Sequence, residues 1–327
     1  MNPTDSDDVP RTDGGTPEIP LTEVSDEEVT TADRAIEWLA KRKEVFLVAW
    51  EDWRTKFGII VMGLFVLMGT VGVWLVPEPT MAVGQKWTPP LETLEYPLGT
   101  NQYGQGILAS LVHATPAMWK MVLAGAVFAT VIGTAIGTFA GYKGGLIDEV
   151  LTTITDIAMM LPGLPLVIVI TAVWAPENPY LVGILVSINA WAGGARNLRS
   201  QVLTIREESY VEASRIMNVS TWNILQRDII PQLLPLILIN FVMAARGVIF
   251  NAVGLYFLGV LPFTTQNWGV MLNLAYESGA VTTPELLYTV IFPLVTIVLF
   301  SWGLIMVAQG LDRVVNVRIR ADSTEGQ

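Results

Sequence analysis

The chain has no cysteine and a single histidine, His113. Disulfides, thiolate zinc sites and cysteine nucleophiles are excluded together, as is a zinc protease motif of the H-E-x-x-H kind. No G-x-x-x-x-G-K-[ST] phosphate loop occurs, so ATP is not handled by that route. Charge is also scarce: 15% of the 327 residues carry it, against about a quarter in a soluble globular domain. Hydrophobic residues take its place at 52%, with mean hydropathy +0.49.

The hydrophobes come in runs. A helix crossing the roughly 30 Å hydrocarbon core needs about 20 mostly apolar residues. Phe57–Val76 is such a run without a charge, and others fall at 118–141, 150–174, 180–198, 233–261 and 286–310. Their Gly-, Leu-, Val- and Ile-rich texture suits packed membrane helices. The expectation is an all-α integral membrane protein with six transmembrane helices. The first run is read as a span and not as a cleavable signal, because no small-residue cleavage site follows it.

The remaining charge is placed asymmetrically. Arg34, Lys41, Arg42, Lys43, Arg54 and Lys56 precede the first run, Arg199, Arg206, Arg215 and Arg227 separate the fourth from the fifth, and Arg313, Arg318 and Arg320 follow the sixth. The alternate segments hold only Lys86 and Lys120. With six spans the positive-inside rule puts both termini and the 199–232 loop in the cytoplasm. Residues 1–27 are rich in acid, Pro and Thr and read as a disordered tail. The net charge of −11 suits a high-salt setting, where the Debye length shrinks to about 3 Å near 1 M; an acidic tail by itself is the alternative. Residues 28–56 read as an amphipathic interfacial helix, with Ser25 and Glu28 as its capping box; packing against a partner subunit is the equal alternative.

The segment 77–117 is proline-rich and reads as an extracytoplasmic loop ordered by turns. Residues 118–310 then form a five-helix core, and 311–327 a cytoplasmic tail. Gly133-x-x-x-Gly137-x-x-x-Gly141 in the second run lets another helix approach closely. Leu161-Pro162-Gly163-Leu164-Pro165 interrupts the third, as a plain kink or as a pathway lining.

About 30 polar residues separate the fourth and fifth runs, long for a plain connection. They read as a short helix over Glu208–Met217, a left-handed stop at Asn218, and a second helix capped by Ser220 that Pro231 helps stop. Tyr210-Val211-Glu212-Ala213-Ser214, then Asn218 and Ile230-Pro231, resemble the E-A-A…G…I-x-L-P signature of ABC importer permeases. The dipeptide/oligopeptide/nickel branch is matched further. Pro97-Leu98-Gly99-Thr100-Asn101-Gln102-Tyr103-Gly104 resembles its H-P-L-G-T-D-x-x-G-R-D segment, and Ala140–Gly145 with Asp148 its A-G-Y-x-G-G…D turn. Asp156, Ala195-Arg196, Arg199, Gln201–Leu203, Gly254–Gly259 and Asn267-Trp268-Gly269 follow in family order. Ser214 stands for a family alanine, Asn218 for a glycine, Gln105-Gly106 for Arg-Asp, and Asn251 for Glu.

The resemblance implies a coupling helix between spans four and five, made by Glu212, Ala213, Ser214, Asn218 and Val219, that docks on a cytoplasmic ATPase subunit. It further implies a second permease subunit of different sequence, two ATPases that use the ATP, and an extracytoplasmic solute-binding protein. No cofactor, metal or nucleic acid is expected on this chain, which contacts membrane lipid. Three residues are candidates for the pathway or its gate. Arg246 would cost about 2.5–3.5 kcal/mol at a helix centre and should face the bundle or a cavity, as a structural partner or a solute contact. Asp156 and Pro162 belong to the third run. An ion-driven secondary transporter is the competing reading, though it calls for inverted repeats and clustered carboxylates.

Overall fold

The computed structural model describes residues 52–81, 84–264 and 266–325, with side chains as far as Gly310. The acidic tail and nearly all of the interfacial helix expected over 28–56 lie outside the described residues. Within them the chain is helical and has no β-strand; a single bridge joins Thr100 and Gly106.

Helix α1 (Trp53–Leu75) contains a π-turn at Met68–Gly72. Helix α2 (Ile107–Lys143) begins well before the expected residue 118. Its first turns carry His113 and Pro116, which end the apolar run in sequence but not the helix. The loop expected over 77–117 therefore stops at Gly106. Next come α3 (Gly145–Met160) and α4 (Gly163–Trp174), bent by 82° at the proline pair, then α5 (Pro179–Val186) and α6 (Trp191–Ile205). A short α7 (Ser209–Ile216) leads into α8 (Thr221–Phe257). Helix α9 (Trp268–Glu277) precedes α10 (Tyr288–Glu325).

Four of these, α1, α2, α8 and the Tyr288–Gly310 part of α10, are single helices long and apolar enough to cross a membrane; the bent α3–α4 pair makes a fifth candidate. The fourth expected span, 180–198, is instead two shorter helices of 8 and 15 residues, parted by a turn at 187–190.

Helix α2 is the central element and packs on α5, α6 and α8. The glycine ladder explains its closest partner. A Cβ on Gly133, Gly137 or Gly141 would lie 2.9, 2.5 or 2.9 Å from the carbonyl oxygens of Trp191, Ala195 and Arg199, one turn apart along α6. Only helices without side chains at those positions approach so closely, and without a hydrophobic drive between helices in lipid such packing holds the bundle. At one end Trp268 is fully buried between α1, α2 and α10. Its ring centroid lies 5.7 Å from that of Phe65 and 5.5 Å from that of Phe300, and its indole N–H donates to the Leu111 carbonyl at 3.3 Å. Asn267 caps α9 by accepting from the Val270 N–H, at 3.0 Å.

Candidate functional site

At the opposite end from Trp268 the chain leaves α6 and forms α7. Val211 is fully buried, in a cluster with Leu198, Val202, Ile224, Leu225, Ile229 and Leu233. One apolar side chain thus seats α7 on the ends of α6 and α8. The helix stops where the residue types demand it. Asn218 has φ +56°, its N–H donates to the Arg215 carbonyl at 3.0 Å, and the Val219 N–H reaches the Ser214 carbonyl at 3.1 Å. These paired bonds define a Schellman stop. Ser220 then caps the next helix by accepting from the Asn223 N–H, at 3.4 Å.

Pro231 does not end that helix as expected. The Thr221 helix runs on unbroken into the membrane-length apolar stretch, 37 residues in all. Proline removes a donor and crowds the carbonyl four residues back. The chain relieves this with a π-turn over Leu225–Ile229, closed by the Ile230 N–H on the Leu225 carbonyl, and so continues. The second half of the loop is therefore the end of α8 itself.

Large apolar side chains stand exposed on this loop among its polar ones. Ile216, Met217 and Trp222 are 79%, 70% and 55% exposed, and Glu212, Ala213, Asn218 and Val219 are exposed beside them, with Ser214 half-buried. Flanking contacts brace the loop from within: Lys143 Nζ donates to Thr221 Oγ1 at 3.0 Å, Arg206 Nη1 to the Gly141 carbonyl at 3.0 Å, and Arg215 stacks over the Tyr142 ring.

The pathway candidates separate in space. Asp156 pairs with Arg196. Eight residues earlier on α3, Asp148 takes Arg199 in a two-bond fork, 2.5 and 2.6 Å, the stronger geometry for such a pair. Both acids tie α3 to α6. Pro162 stands at the 82° break. Leu161 before it is extended, as a residue preceding proline prefers. Its carbonyl would ordinarily accept from residue 165, which is proline; Asn189 Nδ2, in the turn between α5 and α6, donates to it instead at 3.1 Å. Arg246 is exposed on α8 and lies over the Phe250 ring, 5.6 Å from its centroid. Within this one chain it faces outward and not into the bundle.

Several residues that shape these sites carry no sequence motif. Asn189 and Asn240 stand out only as lone amides in mostly apolar company, and Asn197 sits between Arg196 and Leu198 with nothing to mark it. Asn101 and Gln105, where the family segment has an acid and an arginine, are joined by a hydrogen bond of 3.0 Å from Asn101 Nδ2 to Gln105 Oε1. A neutral pair thus closes the turn ahead of α2.

The chain is similar in sequence to known permeases over about two thirds of its length. The oligopeptide transport system permease protein OppC of Lactococcus lactis subsp. cremoris (strain SK11) is 30% identical over 223 residues, covering 68% of this chain and 75% of that protein. The dipeptide transport system permease protein DppC of Bacillus subtilis (strain 168) is 28% identical, covering 68% and 72%. The nickel transport system permease protein NikC of Escherichia coli (strain K12) is 25% identical, covering 68% and 80%. The chain is a multi-pass cell-membrane permease of the peptide and nickel branch of ABC importers. Since residues 133–321, from the glycine ladder of α2 through the Schellman loop to α10, match it as one stretch, the chain belongs to the family of binding-protein-dependent transport system inner membrane components.

Proposed function

We propose that this chain forms half of the transmembrane pathway of an importer for peptides or related small solutes. A second permease subunit of different sequence supplies the other half. Two cytoplasmic ATPase subunits drive the pair through α7 and the adjoining turn, and an extracytoplasmic binding protein delivers the solute. ATP is used by those partners and not by this chain. The observation that carries the reading is the loop: a helix with exposed Ile216 and Met217, stopped rigidly at Asn218 and continuous through Ser220 with a membrane-length helix. An apolar surface on a polar loop marks a protein contact. A push on α7 reaches α8 through Val211 and two backbone bonds without a slack linker. Glu212, Ala213, Ser214, Asn218 and Val219 form the docking and transmitting segment. The ion-driven alternative draws little support from Asp156, which is paired with Arg196.

Because the chain has no cysteine, single cysteines report cleanly. In the assembled complex, cysteines at Ile216 and Met217 are expected to crosslink to an ATPase subunit on irradiation once labelled with a maleimide-benzophenone, which needs no thiol on the partner. One at the buried Val211 should not. Crosslinking to no ATPase subunit from either exposed position would sink the coupling assignment.

Orientation is checked in the same background. A cysteine at Thr93 should react with an impermeant maleimide in intact cells, and one at Ser214 only after permeabilisation. This follows from the charge asymmetry that places both termini and α7 in the cytoplasm. External labelling at position 214 would reverse the topology.

A further inference from the structure

Between α2, α6 and α8, near mid-length of α2 and α8, lies a cavity of about 310 Å³. Its lining carries Thr130, Thr134, Asn197 and Asn240 and no Asp, Glu, Lys or Arg. Three of its polar atoms, Thr130 Oγ1, Thr134 Oγ1 and Asn240 Nδ2, are buried without a hydrogen-bond partner among the described residues. The two threonines are exceptions on their own helix. Thr115 and Thr138 of α2 return their hydroxyls to carbonyls four residues back, at 2.8 and 2.7 Å, as helical threonines ordinarily can. Thr130 and Thr134 make no such bond. Glycine opens the same space: a Cβ on Gly193 or Gly247 would meet nothing within 4 Å.

Three orphaned polar atoms around one cavity call for a ligand with donors and acceptors, since buried polar groups are rarely left unpaired. The absence of any lining charge selects against an ion, which would enter such a place at great cost. We infer that this cavity, framed by Thr130, Thr134, Asn197 and Asn240, is a binding site for uncharged hydrogen-bonding groups within the membrane. Two sources share that chemistry: water, for which the space suffices for roughly ten molecules at about 30 Å³ each, and the amide groups of a passing solute. The site rests on the membrane placement of α2 and α8. Only its solute source depends on the import reading, and neither depends on the coupling loop.

The test uses the complete complex in its own membrane, in opened vesicles that expose both faces. Single cysteines are placed at Thr134 and Gly247, with Ala126, fully buried in the core, as the control. A small impermeant methanethiosulfonate is expected to modify positions 134 and 247 roughly tenfold faster than 126, because the thiolate is the reacting form and apolar burial suppresses it. Slower modification when alanine di- and tripeptides are added assigns the site to the solute's amides. Unchanged modification assigns it to water. Both outcomes support a neutral polar site, and modification of all three positions at the slow control rate overturns it. Asn240→Leu provides a second measurement that requires no reagent. Removing an unpaired amide from a dry cavity raises the Tm of the complex, whereas removing a solvated one leaves it unchanged or lower. A raised Tm would overturn the proposal by itself.

Discussion

Asn218→Val is expected to cut solute uptake by about an order of magnitude, while Asn218→Gly keeps it within about twofold; in both the complex should assemble in normal amount. The backbone at 218 sits at φ +56°. Glycine reaches that region freely, and the Asn218 side chain, which is exposed and makes no hydrogen bond among the described residues, has little to lose. A β-branched residue there is a true outlier, and an L-residue held left-handed costs roughly 1–2 kcal/mol. The chain escapes by unwinding the stop, breaking the bonds from the Asn218 and Val219 amides to Arg215 and Ser214. Each is worth about 0.5–1.5 kcal/mol. A β-branched residue costs more than that general penalty, enough to outweigh the two bonds, so the rigid turn is lost in most molecules. Helix α7 then swings on Val211 alone, and force applied to it is absorbed before it reaches α8. Glu212→Ala acts in the same direction with a smaller effect, because an acid in the first turn of α7 favours the helix by about 0.3–1 kcal/mol. Uptake is measured alongside intact complex recovered in detergent. Full uptake by Asn218→Val at normal assembly would show that the loop only connects its neighbours.

The parts of the molecule legible in sequence are those set by local rules. Apolar runs marked α1, α8 and α10 because a membrane helix is defined by its own length and composition. Asn218 was legible because few residue types tolerate positive φ. Proline is where sequence and fold part, since its effect depends on what else can satisfy the backbone. Pro116 reads as loop yet lies inside α2, and Pro231 reads as a stop yet is absorbed by a π-turn. Pro162 does break its helix, because Pro165 leaves the Leu161 carbonyl without its usual donor and Asn189 stands ready to supply one. That rescue joins residues 28 positions apart, which no local pattern contains. Ion pairs show the same limit. Sequence displays Asp148, Asp156, Arg196 and Arg199, but only the fold makes them two rungs between α3 and α6. The substitutions Asn101 and Gln105 look like independent departures from a charged motif until their side chains meet.

Gly183→Ala is expected to abolish recovery of folded chain, although it adds a single methyl group. A Cβ at Gly183 would collide with the backbone carbonyl of Met121, and one on Gly125 with that of Gly183. Helices α2 and α5 therefore cross with two glycines in direct register, tighter than along the α2–α6 ladder. The obstructing atoms are backbone, so no rotamer change gives relief and the whole helices must part. Overpacking a core costs about 1–3 kcal/mol when side chains can adjust, and this site lacks that freedom. Separation has a second cost. A radial gap of about 0.5–1 Å forfeits a quarter to a half of the dispersion attraction across it, and in lipid such packing has no hydrophobic drive to replace it. Met121, Val122, Ala126, Val182 and Val186, all in the buried core near this crossing, would loosen together. Gly247→Ala is the matched comparison: the same methyl group, added to a membrane helix where it meets nothing within 4 Å. It should leave recovery unchanged or improve it slightly, since alanine is favoured over glycine in a helix by roughly 1 kcal/mol. The measurement is monodisperse chain recovered in mild detergent and its Tm, with Gly183→Ala and Gly247→Ala expressed side by side. Equal recovery of the two would mean that α2 and α5 do not touch at Gly125 and Gly183, and that the crossing is held elsewhere.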